Sequence, residues 1–199
     1  MAKNNLEIVR QLFHLILGII IILLILFLEK ESVLIILFLA FLLMTFLALL
    51  SIKIKIPVFS WFIEKLGREQ EKKFPAKGAI FFLAGCLLTF KLFTPDIALA
   101  SITVLTFGDA ISTLAGFYGQ KYRNRPFSRF KTIYGTIIGV VVSFLIALLF
   151  IEPIYAATAA VFGMLIESLA IKLGETEAND NLIIPLAAGT ACYLLRLII

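Results

Sequence analysis

Charge is scarce in this sequence. Asp, Glu, Lys and Arg make up 16% of the 199 residues, where an ordinary soluble domain carries about 25%. Cysteine is scarcer still: Cys86 and Cys192 both lie within apolar runs. Two buried thiols exclude a disulfide scaffold and say nothing about redox compartment. There is one histidine and no Cys/His metal cluster. A phosphate-cradling glycine loop of the Walker type, H-E-x-x-H and G-x-S-x-G are also missing, which excludes the soluble nucleotide-binding folds and the common hydrolase sites. There is no internal repeat, low-complexity tract or soluble domain.

What is abundant is apolar. Hydrophobic residues make up 61% of the chain, too much for a soluble core of this length to bury. Lipid is therefore the solvent for most of it, and the length allows one domain, 1–199. A hydrocarbon layer of ~30 Å needs about 20 apolar residues in a helix. Seven stretches qualify: Leu6–Leu28, Val33–Ile52, Lys77–Thr94, Asp96–Tyr118, Ile133–Ile151, Pro153–Lys172 and Leu182–Ile199. They are continuous rather than alternating, so helices are expected and a β-barrel is not. The first is too long for a signal peptide and lacks a small-residue cleavage site, so it reads as a retained span. The expectation is an all-α, multi-pass integral membrane protein.

The connections are unequal. Glu29–Ser32, Pro95 and Glu152–Pro153 are tight turns. Residues 53–76 and 119–132 are longer and basic, and 173–181 is short and acidic. With seven spans, the N-terminus and these three longer connections share one side. That side holds every Lys and Arg except Lys30, Lys91 and Arg196. The positive-inside rule then puts the N-terminus and the longer loops in the cytoplasm and the C-terminus opposite. Segment 57–73 mixes Phe59, Trp61, Phe62, Ile63 and Leu66 with charges, which predicts an interfacial amphipathic helix. The +5 net charge fits anionic headgroups or phosphates, and no nucleic-acid partner is expected.

Polar residues inside apolar runs are costly and mark function. Arg10, His14 and Gly18 recur every four residues and share a helix face. They line a polar cavity, or Arg10 is an interfacial anchor. Lys77 opens its span as an anchor or a phosphate ligand. Asp109 is the sharpest signal. With Ser112, Thr113 and Gly116 it forms one polar, small-residue stripe, and Gly108 is placed to loosen the helix just before the acid. Glu167 lies near the cytoplasmic end of its span, and Asp180–Asn181 opens the last one, where Asp180 alone would read as an N-cap. Asp109, Glu167 and Asp180 are expected on the same side. Three carboxylates from three segments suit a hard divalent cation such as Mg²⁺, without which they would repel. Loop 119–132 carries five cations and no acid. Beside carboxylates it suits phosphoryl chemistry, in which Lys and Arg neutralise phosphates. Gly135 and Gly139 read first as a helix-packing face.

The ordered motifs resemble the CTP-dependent lipid kinases: dolichol or polyprenol kinases, CTP-dependent diacylglycerol kinases and phytol kinases. These are in turn distantly similar to phosphatidate cytidylyltransferases. The resemblance rests on R-Q-L-F-H-L-I-L-G from Arg10, P-A-K-G-A-I-F-F-L-A-G from Pro75 and G-D-A-I-S-T-L-A-G-F-Y-G from Gly108. It continues with K-T-I-Y-G-T from Lys131 and E-S-L…D-N-L from Glu167 to Leu182. Asp109, Gly116, Lys131, Thr132 and Gly135 match the family's nucleotide motif. Gly119 arrives one residue early, Ser112 replaces the usual Ala, Tyr134 replaces the usual Glu, and Gln11 leaves Arg10 without a second basic residue. The cytidylyltransferase patterns Lys-Arg…Lys-Asp and His-Gly-Gly are absent.

The resemblance implies transfer of the γ-phosphate of CTP to the hydroxyl of a membrane lipid alcohol, with a polyprenol or dolichol as first choice and diacylglycerol or phytol as alternatives. The expected nucleotide contacts are Lys131, Arg129, Thr132, Gly116, Gly119, Gly135, Asn181, Arg10 and Lys77. Asp109, Asp180 and Glu167 are the expected Mg²⁺ ligands, and a carboxylate or His14 the proton acceptor. The competing expectations are a CDP-lipid synthase and a small non-enzymatic transporter. Small-residue faces permit a homodimer.

Overall fold

The computed structural model describes residues 2–54, 75–118, 132–169, 172–173, 176–177 and 179–199. The expected interfacial helix at 57–73 and the loop residues Gly119, Arg129 and Lys131 lie outside them. The described chain is helical throughout apart from its turns and one minimal ladder. Its elements are α1 (Ala2–Phe27), α2 (Lys30–Lys53), α3 (Lys77–Leu92), α4 (Pro95–Thr103), a π-helical turn (Val104–Asp109), α5 (Ala110–Tyr118), α6 (Ile133–Ala147), α7 (Pro153–Ser168) and α8 (Asp180–Ile198). Between α7 and α8, β1 (Lys172–Leu173) pairs antiparallel with β2 (Thr176–Glu177), Lys172 opposite Glu177.

Four helices are long and apolar enough to cross a membrane: Leu6–Phe27, Lys30–Lys53, the continuous rod Pro95–Gly116, and Asp180–Ile198. Helices α6 and α7 are apolar but shorter. Helix α6 ends at Ala147 rather than at Ile151, because the chain turns at 148–150 before Pro153 starts α7. The prolines at the starts of α4 and α7 suit their positions, where a missing N–H costs no helical bond.

The rod through α4, the π turn and α5 is the centre of the molecule. Of its most apolar stretch, 78% is buried inside the protein, against 17% for the corresponding stretch of α2. Ile97, Ile102, Val104 and Leu105 of the rod pack into one core with Phe82 and Phe90 of α3, Met164 of α7 and Ile184 of α8. Helix α2 instead presents Ile35, Phe38, Leu42 and Phe46 outward. An apolar surface that extensive on a helix of spanning length is the signature of a lipid-facing element. Polar residues on the buried rod are therefore surrounded by protein, which makes its few polar side chains the place to look for chemistry.

Candidate functional site

Asp109 closes the π-helical turn, with Gly108 just before it. A π turn inserts an extra residue into the α-helical path and is frequent at functional sites. Asp109 is 8% exposed. Three residues on, in the first turn of α5, the Ser112 hydroxyl lies 3.0 Å from the main-chain oxygen of Asp109 and 2.8 Å from Oε1 of Glu167. One hydroxyl proton thus serves both acceptors. Glu167 reaches it from the last turn of α7 and is 1% exposed. Glu167, 58 positions from Asp109 in sequence, is thus tied through one serine to the main chain at Asp109.

The third member comes from α1. His14 Nε2 lies 2.9 Å from the main-chain oxygen of Leu105, inside the π turn, and 3.9 Å from Oδ2 of Asp109. The first distance is a hydrogen bond and the second is beyond one. The imidazole also meets the Phe82 ring edge-on, with centroids 4.6 Å apart. Arg10, one turn earlier on α1, forms an ion pair with Glu7 at 2.8 Å. The shared face of Arg10, His14 and Gly18 does turn toward polar groups. Its contacts at His14 and Gly18 are made with the π turn itself.

Helix α6 packs against α5 at its start. Thr132 is the N-cap, its Oγ1 accepting from the Gly135 N–H at 3.0 Å, which satisfies one of the donors that a helix start leaves free. Gly135 is there for proximity: a Cβ on it would stand 2.4 Å from the main-chain oxygen of Ser112. Gly116 is buried nearby, with Thr132 Oγ1 in reach of its own missing Cβ. Three of the nucleotide candidates, Gly116, Thr132 and Gly135, thus meet where α5 and α6 join, beside Ser112.

Asn181 and Lys77 make their contacts at the start of α3. Asn181 Nδ2 donates to the main-chain oxygen of Gly78 at 2.9 Å, tying the start of α8 to the start of α3. Lys77 Nζ sits over the Phe81 ring on its own helix, 5.8 Å from the centroid. The cap of α8 is Asn179, whose side chain accepts from the Asn181 N–H at 3.1 Å. Asp180 is therefore the first helical residue rather than the cap, which corrects the N-cap reading.

Among the described residues, no group of three or more His, Cys, Asp or Glu side chains gathers closely enough to hold a metal ion. The expected convergence of Asp109, Glu167 and Asp180 is thus not assembled as an all-protein cage. Asp180 heads a new helix whose first turn is docked on α3, whereas Glu167 faces α5. A smaller demand does fit. Mg²⁺ working on phosphates is commonly held by one or two carboxylates, and phosphate oxygens and water fill the rest of its shell. Asp109 and Glu167 supply donors of that chemistry.

No family model matches this sequence, and no solved structure matches it. It is similar to an uncharacterized protein of Methanocaldococcus jannaschii, with 28% identity over 181 residues that cover 90% of this chain and 88% of that protein.

Proposed function

We propose that this chain is a membrane-embedded kinase that moves the γ-phosphate of CTP to the hydroxyl of a lipid alcohol, a polyprenol or dolichol type of isoprenoid first. The observation that carries the reading is the contact of Glu167 with the rod beside Asp109: the Ser112 hydroxyl meets Glu167 and the main-chain oxygen of Asp109. Both acids are buried, Asp109 on the most enclosed helical rod of an apolar bundle and Glu167 on α7 packed against it. The motif resemblance at Asp109, Gly116, Lys131, Thr132 and Gly135 adds the nucleotide. In this reading seven helical segments cross the bilayer, with the N-terminus, the basic 119–132 segment and the Asp109 layer toward the cytoplasm.

The chemistry asks little covalent work of the protein. The lipid hydroxyl oxygen attacks the γ-phosphorus, the bond from that phosphorus to the β–γ bridging oxygen breaks, and CDP leaves. The hydroxyl proton passes to a carboxylate of the Asp109–Glu167 pair. Catalysis then consists of positioning and charge neutralisation. Lys131 and Arg129 would neutralise the phosphates. Asp109 and Glu167 would hold a Mg²⁺ ion, whose contribution when bound is to neutralise the β- and γ-phosphate oxygens. The low dielectric around the rod strengthens each of these interactions relative to water.

The test uses purified protein in lipid micelles with Mg²⁺ and CTP labelled separately at the α and γ positions. The acceptor panel is polyprenol, dolichol, diacylglycerol, phytol and phosphatidate. Label from the γ position in an alcohol is the expected result, and the labelled alcohol identifies the acceptor. Label from the α position in phosphatidate would replace the kinase with a CDP-lipid synthase. No label in any lipid and no CTP binding would sink the reading and favour transport.

A further inference from the structure

His14 is the single histidine of these 199 residues, and by residue type it is the obvious proton acceptor. Its geometry says otherwise. A main-chain carbonyl oxygen only accepts hydrogen bonds. The ring nitrogen 2.9 Å from the Leu105 oxygen, Nε2, must therefore carry the hydrogen. In a neutral imidazole that leaves Nδ1 as the bare nitrogen, while the atom nearest Asp109 is the committed donor Nε2, 3.9 Å from Oδ2.

What this donor holds is the π turn. Leu105 stands four residues before Asp109 within Val104–Asp109, so its carbonyl belongs to the same turn as the acid. Helix α1 touches this turn a second time, one helical turn further on. A Cβ on Gly18 would fall 2.2 Å from Thr106 Oγ1, so only glycine lets α1 come this close. The Phe82 ring braces the imidazole edge-on from α3. The hydrogen bond, the close approach and the ring contact together fix a helix segment that lacks regular α-helical pitch.

We infer that His14 is a positioning residue: its Nε2–H clamps the π turn through Leu105 and so sets the place of Asp109, and the reaction's proton goes elsewhere. The functional half of this inference rests on the proposed kinase reading; the clamp does not.

The first experiment reads the clamp directly. Tag-free protein in micelles, labelled with ¹⁵N in the histidine ring, gives the signals of one imidazole. The expected ring carries a hydrogen on Nε2, held by the Leu105 carbonyl. A hydrogen on Nδ1 with a bare Nε2 overturns the inference.

The second experiment compares His14→Ala and His14→Gln. The Gln amide reaches the same carbonyl as a donor and takes up no proton. His14→Ala should lower kcat by about 10- to 100-fold, the range for removing a group that orients a reacting one, with KM for CTP unchanged. His14→Gln should restore kcat to within about threefold of the parent, and should restore the thermal midpoint that His14→Ala lowers. A Gln variant as inactive as Ala but as stable as the parent would make His14 the proton acceptor and overturn the inference. If the parent transfers no label at all, the kinase reading falls, and the tautomer and the thermal rescue still decide the clamp.

Discussion

The central rod carries one acid at its start and another past its middle, and they are treated in opposite ways. Asp96, in the first turn of α4, makes a two-pronged ion pair with Arg196 in the last turn of α8. Thr94 accepts from the same guanidinium at 3.0 Å, and the Tyr155 ring lies beneath it at 5.1 Å. Both charged side chains are about a third exposed, at 36% and 35%. Asp109 lies thirteen positions further on, roughly 20 Å at the helical rise. It is buried and ends a π turn, and the Ser112 hydroxyl meets both its main-chain oxygen and a second buried acid. The first cluster matches charge with charge at a wet edge, which any helix bundle can use to close an end. The second places two acidic residues in the interior beside a hydroxyl and an imidazole. That arrangement costs stability and is worth keeping only for what it binds or transfers.

The comparison breaks if the buried end tolerates change. Asp109→Asn keeps the shape and removes the charge. It should cut γ-phosphate transfer by at least about 10²-fold, the scale of losing one preorganised electrostatic group, with helix content by circular dichroism unchanged. Near-parental turnover would remove Asp109 from the chemistry.

Ser112→Ala comes next. Glu167 keeps its burial but loses the hydroxyl at 2.8 Å. Transfer should fall about tenfold, as for an outer partner that orients a reacting group. Unfolding should be easier by about 1–3 kcal/mol, the penalty for a buried acceptor left short of a donor. Initial rates and thermal melts on the same preparation separate the two effects. A slower enzyme with an unchanged melt would make Ser112 purely a reaction-path group.

These residues also mark how far the sequence could be read. Long apolar runs announce helices because the bilayer permits little else, and Gly108 beside Asp109 signalled an irregular helix where the π turn lies. The partner of Ser112 was not legible: Glu167 lies 55 residues away, and only the crossing of α5 with α7 brings them together. Arg196 stood out merely as one of three cations on the sparsely charged side, with nothing local to tie it to Asp96 a hundred residues earlier. Asn179 and Asp180 are adjacent cap-formers, and backbone geometry rather than propensity chose the first. The tie of Asn181 to Gly78, which docks the start of α8 on α3, is likewise a tertiary fact with no one-dimensional trace.

Gly135→Ala tests whether the α5–α6 seam is as tight as the buried layer requires. The added methyl would meet the Ser112 main-chain oxygen, which cannot rotate away as a side chain would. Overpacking of this kind costs about 1–3 kcal/mol, so the thermal midpoint should drop. Turnover should fall with it, because the displaced residue is the one that hydrogen-bonds Glu167. A lower midpoint with full turnover at permissive temperature would detach the seam from the site.

The smallest effect belongs to the other end, and its smallness is what makes it informative. An ion pair about a third exposed is worth about 1 kcal/mol or less, even with two contacts and a ring beneath. Asp96→Asn and Arg196→Gln should each lower the midpoint slightly. The double variant should fall short of the sum, because each single change already breaks the same pair. Turnover should be parental in all three, since the pair lies far along the rod from Asp109. A loss of transfer comparable to that of Asp109→Asn would mean that the rod moves as a unit, so that the Asp96 clasp sets the geometry of the π turn. The division between a structural end and a chemical end would then have to be given up for one coupled element.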